Sequence, residues 1–214
     1  MTKREKRERI AEVIERLRAV YPEALCALQY EKDYELLFAV RLSAQCTDER
    51  VNKVTPALYE RFPTLESFAE ADPAEVGEYI HSCGFYNGKA RDIVACAQKL
   101  LEEHGGKVPD TMEELTALPG VGRKTANLIL GDVYGQPAYV CDTHCIRITG
   151  KLGITDGSKD PLQVERQLRE SIPPKESNNF CHRLVLFGRE VCTARNPKCG
   201  ECPLKKDCDT GKKL

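Results

Sequence analysis

Apolar residues recur along this chain at the spacing of α-helices, and no convincing run of alternating strand residues is present. Residues 5–20 carry an apolar stripe in a strongly charged segment, which predicts an amphipathic helix that Tyr21 and Pro22 end. Residues 33–46 are more apolar, so we predict that they form a helix at the centre of the core. The fold class is therefore predicted to be all-α.

Later helices are predicted where a capping residue or a proline precedes an apolar periodic run. The N-terminal half offers such starts at Thr47 or Asp48, at residues 62–64 and at Asp72, and a longer helix is predicted over residues 89–104. In the C-terminal half the starts are Asp142, Asp160 and residues 178–179.

Residues 118–127 interrupt this pattern with the sequence LPGVGRKTAN. One proline and two glycines predict a tight hairpin between two helices, the second beginning near Gly122 or Arg123. Because Gly120 and Gly122 lack a Cβ atom, a ligand can approach the backbone where the positive end of the helix dipole lies. The hairpin therefore predicts a phosphate site, with a helix–helix turn that binds nothing as the alternative.

Lys124 falls in the first turn of that second helix. The helix N-terminus, neighbouring Arg123 and partial burial would all favour the neutral amine. An amine in that state can attack a carbonyl-like carbon. The alternative is that Lys124 only contacts a phosphate.

Composition restricts the function classes. The 214 residues include 32 Lys and Arg against 33 Asp and Glu, and this balance argues against a histone-like binder but not against a DNA enzyme. The chain has neither an apolar run of about 18 residues nor an apolar signal-peptide core, so no membrane span or export is expected. Most of the eleven cysteines are then expected to be reduced thiols in a cytosolic protein.

The last four cysteines follow the pattern C-x6-C-x2-C-x5-C, as Cys192, Cys199, Cys202 and Cys208. Four thiolates suit either a structural zinc ion or an iron–sulfur cluster. A zinc ribbon usually has two Cys-x2-Cys pairs, and the single pair here favours the cluster. Nearby Arg195 and three lysines suggest that the loop faces a phosphate backbone.

Two further positions allow more than one interpretation. Asp142 is expected to be the N-cap of its helix, although a carboxylate there could also lie across a groove from Lys124. Phe85 and Tyr86 lie in a glycine-flanked loop, where burial habits favour packing on the core over an exposed wedge for a base stack.

Together these residues closely resemble the endonuclease III family of DNA repair glycosylases. The resemblance rests on residues 118–127, on Val140-Cys-Asp-Thr-His144, on the cysteine loop, and on Leu42-Ser-Ala-Gln45, Thr47-Asp48 and Gly84-Phe-Tyr-Asn87. It covers nearly the whole chain in one order and at family spacing.

The resemblance implies two all-α domains with a DNA groove between them. Residues 23–136 would form a six-helix domain with the helix-hairpin-helix at about 112–132. Residues 1–22 and 137–214 would form a second domain that holds a 4Fe–4S cluster on the four cysteines. The protein is expected to act as a monomer on double-stranded DNA in a bacterial or archaeal cytoplasm, associated with the nucleoid.

The implied reaction is excision of oxidised pyrimidines followed by strand cleavage at the abasic site. Lys124 matches the nucleophile and Asp142 the catalytic aspartate. Gln45 matches the residue that fills the gap left by the flipped base, and Phe85 stands where bacterial members have an aliphatic wedge. Gly120, Gly122, Arg123 and His144 are predicted to contact DNA, with a monovalent cation on the hairpin carbonyls.

Two alternatives stay open at this stage. A monofunctional mismatch or adenine glycosylase would share the fold and the loop, but such relatives usually lack the lysine at position 124. A non-catalytic iron–sulfur module would use the hairpin and the loop only to grip DNA.

Overall fold

A computed structural model describes residues 3–213, which form eleven α-helices, four short 3-10 helices and no strand. The all-α prediction is therefore confirmed. Every helix in this described part of the chain is too short or too polar to cross a membrane. The α-helices are α1 (Lys3–Val20), α2 (Asp33–Leu42), α3 (Asp48–Arg61), α4 (Leu65–Ala69), α5 (Pro73–Ile80), α6 (Tyr86–His104), α7 (Met112–Ala117), α8 (Arg123–Asp132), α9 (Thr143–Lys151), α10 (Pro161–Ser171) and α11 (Ser177–Glu190).

Polar caps begin these helices where the sequence predicts them. The Thr47 hydroxyl accepts a 3.2 Å hydrogen bond from the amide of Arg50 at the start of α3. Asp72 and Asp160 cap α5 and α10 in the same way, each followed by a proline in the first turn. Because these contacts lie within one helical turn, local sequence is sufficient to predict them.

Two helix ends differ from the sequence prediction. Helix α2 ends at Leu42 and not at 46, and the backbone of Gln45 turns into the left-handed region at φ +55°. Helix α6 begins at Tyr86 and not at 89, directly after Phe85, whose φ is +48°. Both differences lie where a non-glycine residue adopts a conformation that sequence propensity disfavours.

The chain divides into two compact units. One unit is Cys26–Gly135, and the other joins the residues up to Leu25 with those from Gln136 onward. The sequence analysis places these boundaries at 22/23 and 136/137.

In the unit Cys26–Gly135, α2 packs against α3, α6 and α8, and six of its apolar residues are buried. Phe68 of α4 is fully buried and lies edge-on to Phe38 of α2, with ring centroids 5.0 Å apart. Such edge-to-face pairs stabilise a core beyond the area they bury. Helix α2 is thus the central helix of this unit, as predicted.

In the other unit, α11 packs against α1 and α9. Arg183 of α11 is 4% exposed and donates to the carbonyl of Tyr21, directly after the end of α1. The side chain of Tyr21 in turn donates to Glu190 at 2.8 Å. These bonds join the end of α1 to α11 within this unit.

Candidate functional site

The segment between α7 and α8 forms the predicted hairpin. The amide of Val121 donates to the carbonyl of Leu118 at 3.2 Å, and Gly120 adopts φ +73°, where L-residues are strained. Gly122 is the N-cap of α8 and has no side chain to satisfy the amides of the first turn. Those amides therefore point outward at the positive end of the helix dipole.

The two glycines of the hairpin serve different purposes. A Cβ atom on Gly122 would meet no atom within 4 Å, so a ligand can approach this backbone as predicted. A Cβ atom on Gly120 would lie 2.9 Å from side-chain atoms of Arg41 and Asp92. Gly120 is itself exposed, so a ligand can still reach its backbone, although the protein fills the space where a Cβ atom would lie.

Arg41 and Asp92 form an ion pair under the turn. Arg41 bonds one oxygen of Asp92 through Nε at 2.7 Å and Nη2 at 2.6 Å. The pair joins α2 to α6 and supports the hairpin from below. Sequence reasoning did not identify it, because the two residues are 51 positions apart.

Lys124 is exposed in the first turn of α8. The partial burial that we expected for its amine is therefore wrong. The next turn supplies the buried face of the helix through Ala126 and Ile129, which turns Lys124 toward solvent. The amine is thus accessible to a macromolecular substrate at the same helix end as the open Gly122.

Cys26 lies in the electrostatic neighbourhood of Lys124. The pKa of the Cys26 thiol is raised to about 12, mainly by burial and also by Asp132 and Asp48, while a backbone hydrogen bond at Leu28 and the charge of Lys124 oppose the rise. The charge of Lys124 thus acts on the thiol of Cys26, the first residue of the unit Cys26–Gly135. No motif in the sequence links Cys26 to the hairpin.

Gln45 and Phe85 are both exposed, and both have left-handed backbones. The side chain of Phe85 is 75% exposed, so the prediction that it packs on the core is wrong. The Tyr86 side chain is half-buried and its ring lies tilted against that of His81, with ring centroids 4.5 Å apart. Burial habits failed for Phe85 because the α6 start fixes its side chain outward, which fits the alternative interpretation as a wedge.

Asp142 is the N-cap of α9, as the sequence predicts. Its Oδ1 atom accepts a 2.7 Å hydrogen bond from the amide of Cys145. The carboxylate is half-buried and therefore still reaches the surface. A capping function and a function in chemistry are compatible, because a carboxylate has two oxygens with several lone pairs.

His144 is packed against the backbone of α11. A Cβ atom on Gly188 would clash with its Nδ1 atom, so only glycine fits there. The same Nδ1 atom lies 3.3 Å from the guanidinium of Arg147. Burial lowers the pKa of His144, Arg147 and Arg189 lower it further, and Asp142 opposes them.

Arg147 connects α9 with the cysteine loop. Its Nη2 atom donates to the carbonyl of Cys192 at 2.7 Å, in addition to its contact with His144. The helix that begins at Asp142 is therefore bonded to the first of the four clustered cysteines. Sequence analysis missed Arg147, since an arginine on an amphipathic helix has no local signal for a buried partner.

The four clustered cysteines line one cavity of their unit. Its remaining walls are mainly apolar side chains of α9, α11 and the loop, namely Ile148, Leu152, Phe187, Val191 and Leu204. Burial raises the pKa of the Cys192 thiol, whereas Lys151 and Arg147 lower it and so favour the thiolate that a metal requires.

Four thiols that line one cavity could hold either of the two metal centres that the sequence allows, a zinc ion or an iron–sulfur cluster.

Comparison with known proteins identifies the family. Residues 38–174 match the HhH-GPD superfamily of base excision DNA repair proteins, and residues 192–208 match the iron–sulfur binding domain of endonuclease III. The cysteine loop is therefore an iron–sulfur binding loop, as its spacing favours.

Individual relatives cover nearly the full chain. Endonuclease III of Synechocystis sp. is 47% identical over 95% of this chain and 93% of its own length. Endonuclease III of Escherichia coli K12 is 40% identical over 95% of this chain and 96% of its own length.

The solved structures agree in fold. A trapped endonuclease III–DNA covalent intermediate matches with a TM-score of 0.92 and 40% identity, covering 97% of both chains. A thermostable thymine-DNA glycosylase matches with a TM-score of 0.87 at 19% identity, which shows the shared fold alone. The chain belongs to the HhH-GPD superfamily of base excision DNA repair proteins and, within it, to the endonuclease III family.

Proposed function

We propose that this chain removes oxidised pyrimidines from duplex DNA and then cuts the strand 3′ to the resulting abasic site. As a member of the endonuclease III family it is a base excision repair DNA glycosylase and AP lyase. The observation that carries the specific proposal is the exposed Lys124 amine at the start of α8, beside the open backbone of Gly122.

In the first chemical step the Lys124 amine attacks C1′ of the flipped nucleotide. The bond between C1′ and the base breaks, and the base leaves with a proton. Ring opening then gives a Schiff base between Nζ and C1′. The exposure of Lys124 supports this step, because the nucleophile must reach a nucleotide outside the protein.

Asp142 is proposed as the carboxylate that serves this step. It accepts a proton released from the attacking amine and stabilises positive charge that develops on the sugar. Its bond to the Cys145 amide fixes the carboxylate at the end of α9. A fixed charge stabilises a transition state without reorganisation during the reaction.

Strand cleavage follows as a β-elimination. A proton leaves C2′ of the Schiff base, and the electrons of that C–H bond form a C2′–C3′ double bond as the 3′ phosphate departs. Hydrolysis of the imine returns the free Lys124 amine and an unsaturated aldehyde on the 5′ fragment. No oxidant or reductant is consumed.

The hairpin is proposed to hold a phosphate next to the lesion. The open amides at Gly122 and the first turn of α8 are suitable donors, and Arg123 adds a positive charge beside them. Gly120 contributes by permitting the turn, since its own Cβ position is blocked. The hairpin carbonyls would hold a monovalent cation, which would add positive charge for the same phosphate.

The exposed Gln45 and Phe85 side chains are proposed to enter the duplex at the lesion. Gln45 would fill the gap left by the flipped base, and Phe85 would act as a wedge. A DNA contact by His144 stays a prediction, because its half-buried ring is already packed on Gly188.

The four cysteines are proposed to hold a 4Fe–4S cluster, which would crosslink a loop that has little other core. Arg195, Lys198 and Lys206 of this loop are exposed, and positive side chains there suit the phosphate backbone. We further propose that the protein acts as a monomer on damaged or abasic duplex DNA in the nucleoid of a prokaryotic cell.

Strand cleavage by a lysine variant tests the proposal. Lys124→Gln removes the amine and one charge, while Lys53→Gln makes the same change at an exposed lysine of α3. On a thymine glycol duplex, Lys124→Gln should bind DNA but cleave at least about a hundredfold more slowly, as expected for loss of a nucleophile. Lys53→Gln should cleave like the wild type.

Other outcomes select the alternatives. Base release without strand cleavage by the wild type would indicate a monofunctional glycosylase. DNA binding without either reaction, and with no effect of Lys124→Gln beyond affinity, would indicate a binding module.

A further inference from the structure

Lys89 is a buried lysine beneath the two segments that carry Gln45 and Phe85. Its side chain is 1% exposed and lies in the first turn of α6. We infer that Lys89 is a positioning residue that holds both segments in the shape needed to enter DNA. This inference rests on the proposed function, because that function requires Gln45 and Phe85 to enter the duplex.

The Lys89 ammonium uses all of its donors. Nζ donates to the carbonyls of Leu42 at 2.8 Å, Ala44 at 2.7 Å and Cys83 at 2.8 Å. An ammonium group has three protons, so each proton has one acceptor. Burial lowers the pKa of Lys89, and the three carbonyl dipoles are what stabilise its charged form in this place.

These carbonyls belong to two segments that are distant in sequence. Leu42 is the last residue of α2 and Ala44 leads directly into Gln45, whereas Cys83 ends a 3-10 helix (His81–Cys83) two residues before Phe85. One cation therefore joins the backbone of both segments. The Leu42 and Cys83 carbonyls lie at helix ends and that of Ala44 lies outside a helix, so the ammonium supplies hydrogen bonds that secondary structure does not.

The two segments also share an unusual backbone. Among residues 3–213, Gln45 and Phe85 are the non-glycine residues with positive φ, at +55° and +48°. Such conformations persist only where the surroundings impose them, and they concentrate at functional sites. Both side chains are exposed, so their own packing does not hold the backbone in place. The Lys89 bonds provide this constraint from the buried side.

Without the ammonium, three carbonyls would lose their donor and both segments could relax. Gln45 and Phe85 would then have to be ordered during DNA binding, which weakens that step. The loss should be largest where a paired base must be extruded. A site that already lacks its base requires less unstacking and unpairing, so activity on it should fall less.

Two substrates separate positioning from general damage to the fold. Lys89→Met keeps a long flexible side chain and removes the donors. Leu100→Ala, at a fully buried position about 16 Å further along α6, controls for lost stability. Each variant is assayed in single turnover on a thymine glycol duplex and on the same duplex with a preformed abasic site.

We expect Lys89→Met to lose at least about tenfold more activity on thymine glycol than on the abasic site. Leu100→Ala should lose equally on both substrates. An equal loss by Lys89→Met, or no loss, would overturn the inference. If Lys89→Met does not fold, Lys89→Gln, which keeps an amide donor, allows the same comparison.

Amide hydrogen exchange of the free protein tests the inference without DNA. Lys89→Met should accelerate exchange at residues 43–46 and 84–86 more than in α8, and Leu100→Ala should not. Unchanged exchange at those two segments would contradict the positioning function. If the wild type formed no Lys124 adduct, the proposed function would fail, and exchange would still decide whether Lys89 holds the segments.

Discussion

Asp142 accepts a 2.7 Å hydrogen bond from the backbone amide of Cys145, so the proposed catalytic carboxylate is also the cap of α9. The two functions can be separated by substitution. Asn caps a helix about as well as Asp, whereas Ala does not.

Asp142→Asn should therefore retain thermal stability but slow the glycosylase step by at least about a hundredfold, because the carboxylate charge is lost. Asp142→Ala should lose the chemistry and, in addition, about 1 kcal/mol of stability. The measurements are Tm and single-turnover base release. Near wild-type base release by Asp142→Asn would show that the residue only caps the helix.

The two glycines of the hairpin give a matched pair of variants. Gly120→Ala forces a side chain into φ +73° and to within 2.9 Å of Arg41 and Asp92, so it should destabilise the protein by about 1–3 kcal/mol. Gly122→Ala adds a methyl group to open space and should leave stability within about 1 kcal/mol.

Among correctly folded molecules, Gly122→Ala should reduce DNA affinity more than Gly120→Ala does. The methyl group of Gly122→Ala lies where the phosphate is proposed to bind, so Kd for an abasic-site analogue should rise. Unchanged affinity in Gly122→Ala would place the phosphate elsewhere.

Phe85 combines strain with exposure. Phe85→Gly removes the steric conflict at φ +48°. It creates no buried cavity, since the ring is 75% exposed. We expect unchanged or slightly higher stability, by up to about 1 kcal/mol, together with slower excision of a paired lesion. Phe68→Ala, at a fully buried ring, should instead lose about 3–5 kcal/mol. Faster excision by Phe85→Gly would argue against the wedge.

His144 should make stability depend on pH. Burial lowers its pKa in the folded protein, whereas the unfolded value is about 6.5. The unfolded chain therefore binds the proton first on acidification, so the contribution of the neutral ring is present above about pH 6.5. It declines as the pH falls from there toward the folded pKa.

The comparison is the free energy of unfolding of wild type and His144→Asn between about pH 8 and about pH 5. The wild type should lose more stability over this range than the variant. Parallel curves would mean that another group is responsible for the acid sensitivity.

Local signals were sufficient for much of this molecule. The helix caps at Thr47 and Asp142, the hairpin before Lys124 and the cysteine loop depend on residues within a few positions of each other. Hydrogen bonds of this range are set by sequence spacing alone.

The remainder depends on contacts between distant residues. Apolar residues continue past Leu42, yet α2 ends there and the Leu42 carbonyl accepts a hydrogen bond from Lys89. The blocked side of Gly120 is likewise created by Arg41 and Asp92. Exposure of Lys124 and Phe85 could not be predicted either, because it depends on which neighbours the tertiary fold supplies.

Lys124 is proposed to form a covalent Schiff base with the opened sugar. The direct measurement is to incubate the protein with a thymine glycol duplex and borohydride, digest the adduct, and locate the modified residue by mass spectrometry. We expect a reduced sugar adduct on Lys124 that is absent in Lys124→Gln. An adduct on another lysine, or none while base release and DNA binding persist, would contradict the assignment of Lys124 as the nucleophile.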